Sequence, residues 1–146
     1  MLKWLLLVLP VIGGMAGGAQ APINGGLGRR IGIFEATFVS FTVGALAAAL
    51  LALVFGRGSL GRVPEVPRWL LLGGLLGMTY VASVITTVPR LGAAATIFAG
   101  IAGQMIFTLA ADHHGWLGLE RIPFGPARAL GLALMAAGVL LVFRSR

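Results

Sequence analysis

Apolar residues come along this chain in five long runs, set apart by short stretches rich in Gly, Pro and Arg. A helix needs about 20 apolar residues to cross a hydrocarbon core of about 30 Å. The runs predict helices from about Leu2 to Ile23, Ile31 to Phe55, Trp69 to Val88, Leu91 to Ala111 and Ala127 to Phe143. Most joins are short, and only Pro89 and Arg90 separate the third run from the fourth. The exceptions are Gly56 to Arg68, with Pro64 and Pro67, and Asp112 to Pro126, with Pro123 and Pro126. Prolines there end helices and hold the loops out of helical geometry. The expected fold is an all-α membrane protein, with residues 1–146 forming a single five-helix transmembrane domain.

Polar and small residues interrupt the pattern in an ordered way. In Gly13 to Arg30 an apolar run dissolves into glycines, a Gln, an Asn and two arginines. That composition predicts a helix end packed against neighbours, with amides facing a cavity inside the membrane. Gly13 and Gly17, Gly14 and Gly18, and Gly73 and Gly77 are spaced to let helix backbones approach closely. A step of four links Gly92, Thr96, Gly100, Gln104, Thr108 and Asp112 into one stripe on the fourth helix. The third helix carries Gly73, Gly77, Tyr80, Ser83 and Thr87 on a similar stripe. Each hydroxyl taken alone is expected to bond its own helix. The fifth helix, with only Gly131 and Gly138 among Leu, Ala, Val and Met, reads as a lipid-facing or dimer-contact helix.

Composition sharpens this picture. A chain with 58% hydrophobic and 10% charged residues and a mean hydropathy of +0.99 has no ordinary soluble surface. The formal charge of +7 does not point to nucleic acid, because the arginines stand singly or in pairs between apolar runs. They read as membrane-boundary charges, and Trp69 and Trp116 fall where an aromatic belt would lie. Without cysteine there is no disulfide framework and no thiol chemistry. Lys3, the run Trp4 to Ile12 and the Ala19-Gln20-Ala21 triplet resemble a cleavable signal, but Pro22 would follow the cut, so the first helix is read as retained.

Charge also bears on orientation. Five spans place Lys3, Arg57, Arg62, Arg68, Arg121 and Arg128 on one side of the membrane. Arg29, Arg30, Arg90, Arg144 and Arg146 fall on the other. Six against five is almost no instruction under the positive-inside rule. The expectation is insertion in both orientations and assembly with a second, inverted copy, an arrangement that imitates the inverted repeats of transporters. Weak determinants favouring one orientation are the alternative.

An amide or charge in hydrocarbon is costly unless paired, which makes Gln20, Asn24, Tyr80, Ser83 and Gln104 the candidates for a substrate-binding cavity. Gln20 and Asn24, four apart, share a helix face, and either line a cavity near one mouth or bond backbone carbonyls freed near Pro22. Tyr80 and Gln104 are expected to lie deepest. Glu35, the only carboxylate within a predicted span, either binds a proton or cation or is held by Arg29, Arg30, Arg90 and its helix N-terminus. Asp112, His113, His114 and Glu120 do not make a metal site, because adjacent histidines diverge on a helix. GGLGRR follows no strand and is no dinucleotide loop. No catalytic constellation is present, so neither an enzyme nor a cofactor is expected.

The sequence resembles the YdcZ-type family of candidate inner-membrane exporters in the bacterial drug/metabolite transporter superfamily. The resemblance runs over nearly the full chain and rests on Gln20-x-x-x-Asn24-x-x-Leu27-Gly28, Ser40-Phe41-x-x-Gly44, and Trp69 followed by GGLLG at Gly73 to Gly77. It continues through PRLGAAAT at Pro89 to Thr96, Gly103-Gln104, and DHHGW at Asp112 to Trp116. It implies a five-helix half-transporter in the bacterial inner membrane, paired with an inverted copy or an oppositely oriented paralogue. Helices one to four of each copy would surround a central cavity for a small molecule, with the fifth outside. Glu35 stands where such sequences more usually have an apolar residue. The related small multidrug transporters carry a carboxylate midway along their first helix; Val11 to Gly18 has none here, so their proton-exchange mechanism does not carry over.

The leading expectation is therefore a secondary transporter exporting a small metabolite by alternating access. Its substrate would be neutral, zwitterionic or a small cation recognised partly by Tyr80 and Trp side chains. A passive dual-topology channel and a non-transporting membrane assembly subunit are the alternatives.

Overall fold

A computed structural model describes residues 6–144. Leu2, Lys3, Trp4 and Arg146, which figure in the first predicted helix and the charge count, lie outside them. Among the described residues five α-helices form: α1 (Val8–Ile31), α2 (Ile33–Phe55), α3 (Gly73–Leu91), α4 (Ala93–His114) and α5 (Pro126–Arg144). Short 3-10 turns at Leu60–Glu65 and Trp116–Gly118 occupy the two longer joins, a third at Arg68–Leu72 stands where the third helix is expected to begin at Trp69, and no strand occurs among the described residues. Helix is the expected solution in lipid, because it satisfies every backbone amide within one segment.

Four helical stretches, Ile33–Phe55, Arg68–Leu91, Ala93–His114 and Pro126–Arg144, are long and apolar enough to cross a membrane. The 24 residues of α1 are also long enough, spanning about 36 Å at 1.5 Å per residue, but its glycines, Gln20 and Asn24 dilute its apolar content. It is the most polar helix of the expected five. The chain divides into two compact units, one ending at Arg90 and one beginning at Leu91.

In the first unit the expected helix end near Ile23 is wrong. α1 runs on through Pro22 and the whole glycine stretch to Ile31. Glycine and proline lower helix propensity in water, but a backbone with no water to bond keeps its helical partners. The break falls on one residue, Gly32, with φ 103° and ψ 159°, a conformation open essentially to glycine alone. Gly32 N–H still donates to Gly28 O at 3.0 Å, and Ala36 N–H donates to Gly32 O at 3.1 Å, so the reversal leaves neither ladder short. Nor does Pro89 end the third helix, since α3 extends past the expected Val88 to Leu91.

The glycines that pack are not the pairs the spacing singles out. Gly13, Gly14, Gly17, Gly18 and Gly73 face open space within the chain, and Gly77 alone of that set meets a neighbour, the Phe41 ring. Close approach occurs at Gly25 and Gly28 of α1, which meet Val88 and Ile85 of α3. Ile85 joins Ala36 and Val81 in a small buried core, with Leu27, Ile33 and Tyr80 packed against it.

The second unit repeats the glycine device. Gly92, with φ 75° and ψ 163°, precedes α4 and accepts from Thr96 N–H at 3.2 Å. α4 continues one turn beyond the expected Ala111 and stops at Gly115 in the left-handed conformation. Asp112, His113 and His114 therefore belong to a helix, not to a solvated loop. The following segment folds back on them: Ile122 N–H donates to Asp112 O at 2.8 Å, Arg121 Nε to His113 O at 3.0 Å, and Phe124 N–H to His113 Nδ1 at 3.0 Å. α5 packs along α4 and ties back through an Arg128 to Asp112 ion pair at 3.2 Å.

A methyl group at Gly28 would overlap the Ile85 side chain, whereas one at Gly26 in the same turn meets nothing within 4 Å. Gly28→Ala should cost roughly 1–3 kcal/mol by overpacking, and Gly32→Ala a similar amount by backbone strain. Gly26→Ala should be close to neutral. Thermal unfolding of the three purified variants checks this, and equal melting temperatures at positions 26 and 28 would contradict the α1 to α3 contact.

Candidate functional site

Because Gly32 reverses the chain between α1 and α2, residues equally distant from it on either side come together. Asn24 and Ser40, 16 residues apart, flank Gly32 symmetrically, and Asn24 Nδ2 donates to Ser40 Oγ at 3.1 Å. Asn24 is 5% exposed, so the bond answers a buried amide. Its side-chain partner is a hydroxyl on the next helix, not a backbone carbonyl freed near Pro22. Farther from the turn, Gln20 of α1 and Gly44 of α2 bear the same relation to Gly32. Both line a cleft of about 340 Å³ that also takes in Ser40, Phe41 and Val81.

The longer α1 changes the depth of this group. With α1 ending at Ile31, Gln20 falls at the middle of the helix instead of near a mouth. About 12 residues of helix, or roughly 18 Å, separate it from the turn at Gly32, over half of the hydrocarbon thickness. Gln20 is thus as central along its helix as Tyr80 is along Arg68–Leu91 or Gln104 along α4. Its side chain is exposed and makes no hydrogen bond among the described residues.

The remaining candidates fall in different surroundings. Tyr80 is half-buried against the Ala36, Val81 and Ile85 core. Ser83 is exposed and donates to Tyr80 O at 2.6 Å, so its hydroxyl is satisfied within its own helix. Thr37, Thr79, Thr86, Thr87 and Thr108 do the same with carbonyls one turn back, as expected of each hydroxyl taken singly. Thr96 is the exception: its hydroxyl is buried with no partner among the described residues. Gln104, in the second unit, is exposed on α4, and its amide makes no side-chain hydrogen bond among the described residues.

The charged candidates do not pair. Glu35 lies in the first turn of α2 with its carboxylate turned back over Gly32, where the helix N-terminus stabilises it. Arg90 donates to Thr86 O instead, and no Glu35 to Arg90 ion pair is present among the described residues. No charged side chain lines the Gln20 cleft. Its polar groups are neutral donors and acceptors set in an apolar wall, a surface suited to orienting an uncharged or internally neutral molecule. Ser40 is the site residue that reading for intramembrane amides and charges passed over. Only its place in the Ser40-Phe41-x-x-Gly44 motif signalled it, and its pairing with Asn24 is visible only once the turn is placed at Gly32.

A protein-family model described as "Putative inner membrane exporter, YdcZ" matches residues 5–141. No curated protein and no solved structure matches the chain.

Removing either partner of the Asn24 to Ser40 bond strands the other in a buried position. Asn24→Ala and Ser40→Ala should each cost about 1–3 kcal/mol, and the double variant less than their sum. A double-mutant cycle on unfolding free energy measures the coupling, and strictly additive losses would contradict a direct bond.

Proposed function

The chain belongs to the YdcZ family of candidate inner-membrane exporters and is a multi-pass inner-membrane protein, and we propose that it is a secondary transporter exporting a small metabolite. It works by alternating access, as a dimer whose two copies of this chain, or this chain and an oppositely oriented paralogue, stand inverted in the bilayer. The observation that carries this reading is the mid-helix Gln20 amide, exposed beside Ser40 in an uncharged cleft. An unbonded amide at that depth cannot face hydrocarbon without a large cost. A water-filled cavity bounded by a second copy gives it partners and gives substrate a path.

Further support comes from the near-even division of basic residues, six against five, that five spans would give and from the open glycine face at Gly13, Gly14, Gly17 and Gly18. The absence of charge in the cleft favours a neutral or zwitterionic substrate, with Gln20, Asn24 and Ser40 orienting it and Tyr80 and Ser83 contributed by α3. Gln104 is a further candidate on the second unit. Glu35, near a helix end and off the cleft, is assigned no coupling role.

A ligand-dependent thermal-shift screen of the purified protein identifies a substrate, because a ligand that binds only the native state stabilises it, and more so as its concentration rises above its Kd. With that substrate in proteoliposomes, wild-type flux should saturate, and Gln20→Leu should weaken apparent affinity roughly three- to tenfold, the worth of one or two neutral hydrogen bonds. Glu35→Gln should leave the pH dependence unchanged. Flux without saturation would mark a passive channel, and a dimer core closed to water with no flux across a broad panel would mark an assembly subunit.

A further inference from the structure

Outside the Gln20 cleft, the first unit contains a second cavity of different character. It holds about 310 Å³ where the last turns of α1 and α3 meet the start of α2, and Arg29 and Arg90 both line it. Ile33, Ile85 and Pro89 supply its apolar wall. The ion pairs among the described residues, Arg62 with Glu65 and Arg128 with Asp112, lie elsewhere, so no carboxylate answers either arginine. Arg90 uses one Nη to donate to Thr86 O, which leaves the rest of its fork free. Arg30 adds a third positive charge next in sequence, and Glu35 is turned over Gly32 instead of into the cavity.

Two guanidinium groups sharing one cleft repel each other. The C-terminal dipoles of α1 and α3, each worth roughly half a charge, offset only part of two full charges. An anion between the forks relieves the rest, and phosphate fits them best because each guanidinium can offer paired N–H donors to its oxygens. The last turns of these helices lie at the membrane boundary, the level at which a bilayer places its lipid phosphates. The apolar wall beside the arginines suits the glycerol and first acyl carbons of the same molecule. Because the lining holds no carboxylate, a choline or ethanolamine cation has nothing to receive it, which selects against zwitterionic lipids.

We propose that this cavity binds an anionic phospholipid, its phosphate clamped between Arg29 and Arg90 and its glycerol backbone against Ile33, Ile85 and Pro89. The inference rests on the boundary position of α1 and α3 and not on transport, so it stands or falls separately from the proposed function.

The test is thermal stabilisation of the full-length protein in detergent, titrated with phosphatidylglycerol, phosphatidylcholine or inorganic phosphate. Phosphatidylglycerol should raise the melting temperature in a concentration-dependent way, and the other two should not. Arg29→Gln/Arg90→Gln should weaken the apparent affinity for phosphatidylglycerol by about tenfold or more, in keeping with the loss of charge-assisted pairs. Arg29→Lys/Arg90→Lys keeps both charges and the boundary charge count, so it inserts as the native chain does, yet it loses the bidentate fork and should bind several-fold more weakly. An Arg57→Gln/Arg144→Gln control should bind as wild type. Stabilisation by phosphatidylcholine or by inorganic phosphate equal to that by phosphatidylglycerol would overturn the proposal. So would wild-type affinity in either Arg29/Arg90 variant, or an equal loss in the Arg57/Arg144 control.

Discussion

A primary amide inside hydrocarbon must be bonded or hydrated, and α1 carries two of them one turn apart. The structure resolves them differently. Asn24 is buried and bonded to Ser40 across the α1 to α2 hairpin, while Gln20 is left open in the cleft beside it. The first arrangement holds the hairpin together, and the second creates a demand that lipid cannot meet. The proposed cavity, bounded by a proposed second copy and open to an uncharged solute, is an answer to that second demand.

The hairpin itself depends on where its turn falls. A single glycine at position 32, in a conformation that a side chain would strain, brings α1 and α2 together so that equal distances from the turn correspond. Gly25 and Gly28 then admit Val88 and Ile85 of α3 to the α1 backbone, and Tyr80 packs on the resulting core. Close packing, the amide pair and the cleft are consequences of one break in the helix. Gly92 makes a comparable break before α4. The same boundary that holds the first turn also gathers Arg29 and Arg90 in a cavity that no carboxylate lines, so the end of the hairpin is suited to lipid headgroups while its middle is suited to a solute.

Much of the architecture is legible in the sequence, because the length and apolarity of a membrane helix are strong signals. α2 and α5 begin and end within two residues of expectation, and the 3-10 turns at Leu60–Glu65 and Trp116–Gly118 fall in the expected loops, while the one at Arg68–Leu72 takes the first residues of the expected third helix. The helix ends misplaced at Ile23 and Val88 share one cause. Gly and Pro mark helix ends in water, but in lipid the backbone has no alternative partner, so α1 passes through Pro22 and its glycines, and α3 passes through Pro89. Placing the end of α1 at Ile23 put Gln20 near a mouth and hid its true depth and the role of Ser40. Spacing alone also could not tell glycines that pack within the chain, Gly25 and Gly28, from those that face outward, Gly13 to Gly18. That distinction depends on which face the neighbouring helix covers, and no single helix encodes it.

In the proposed transporter Gln20 faces water at mid-membrane depth. The chain has no cysteine, so a Gln20→Cys variant in proteoliposomes carries one thiol. A thiol reacts with a water-soluble maleimide only where it can ionise and meet the reagent, which hydrocarbon prevents. The account predicts labelling of Gln20→Cys, with Leu46→Cys, on an exposed apolar stretch of α2, remaining inert. An unreactive Gln20→Cys whose attached probe is quenched from the lipid phase would contradict it.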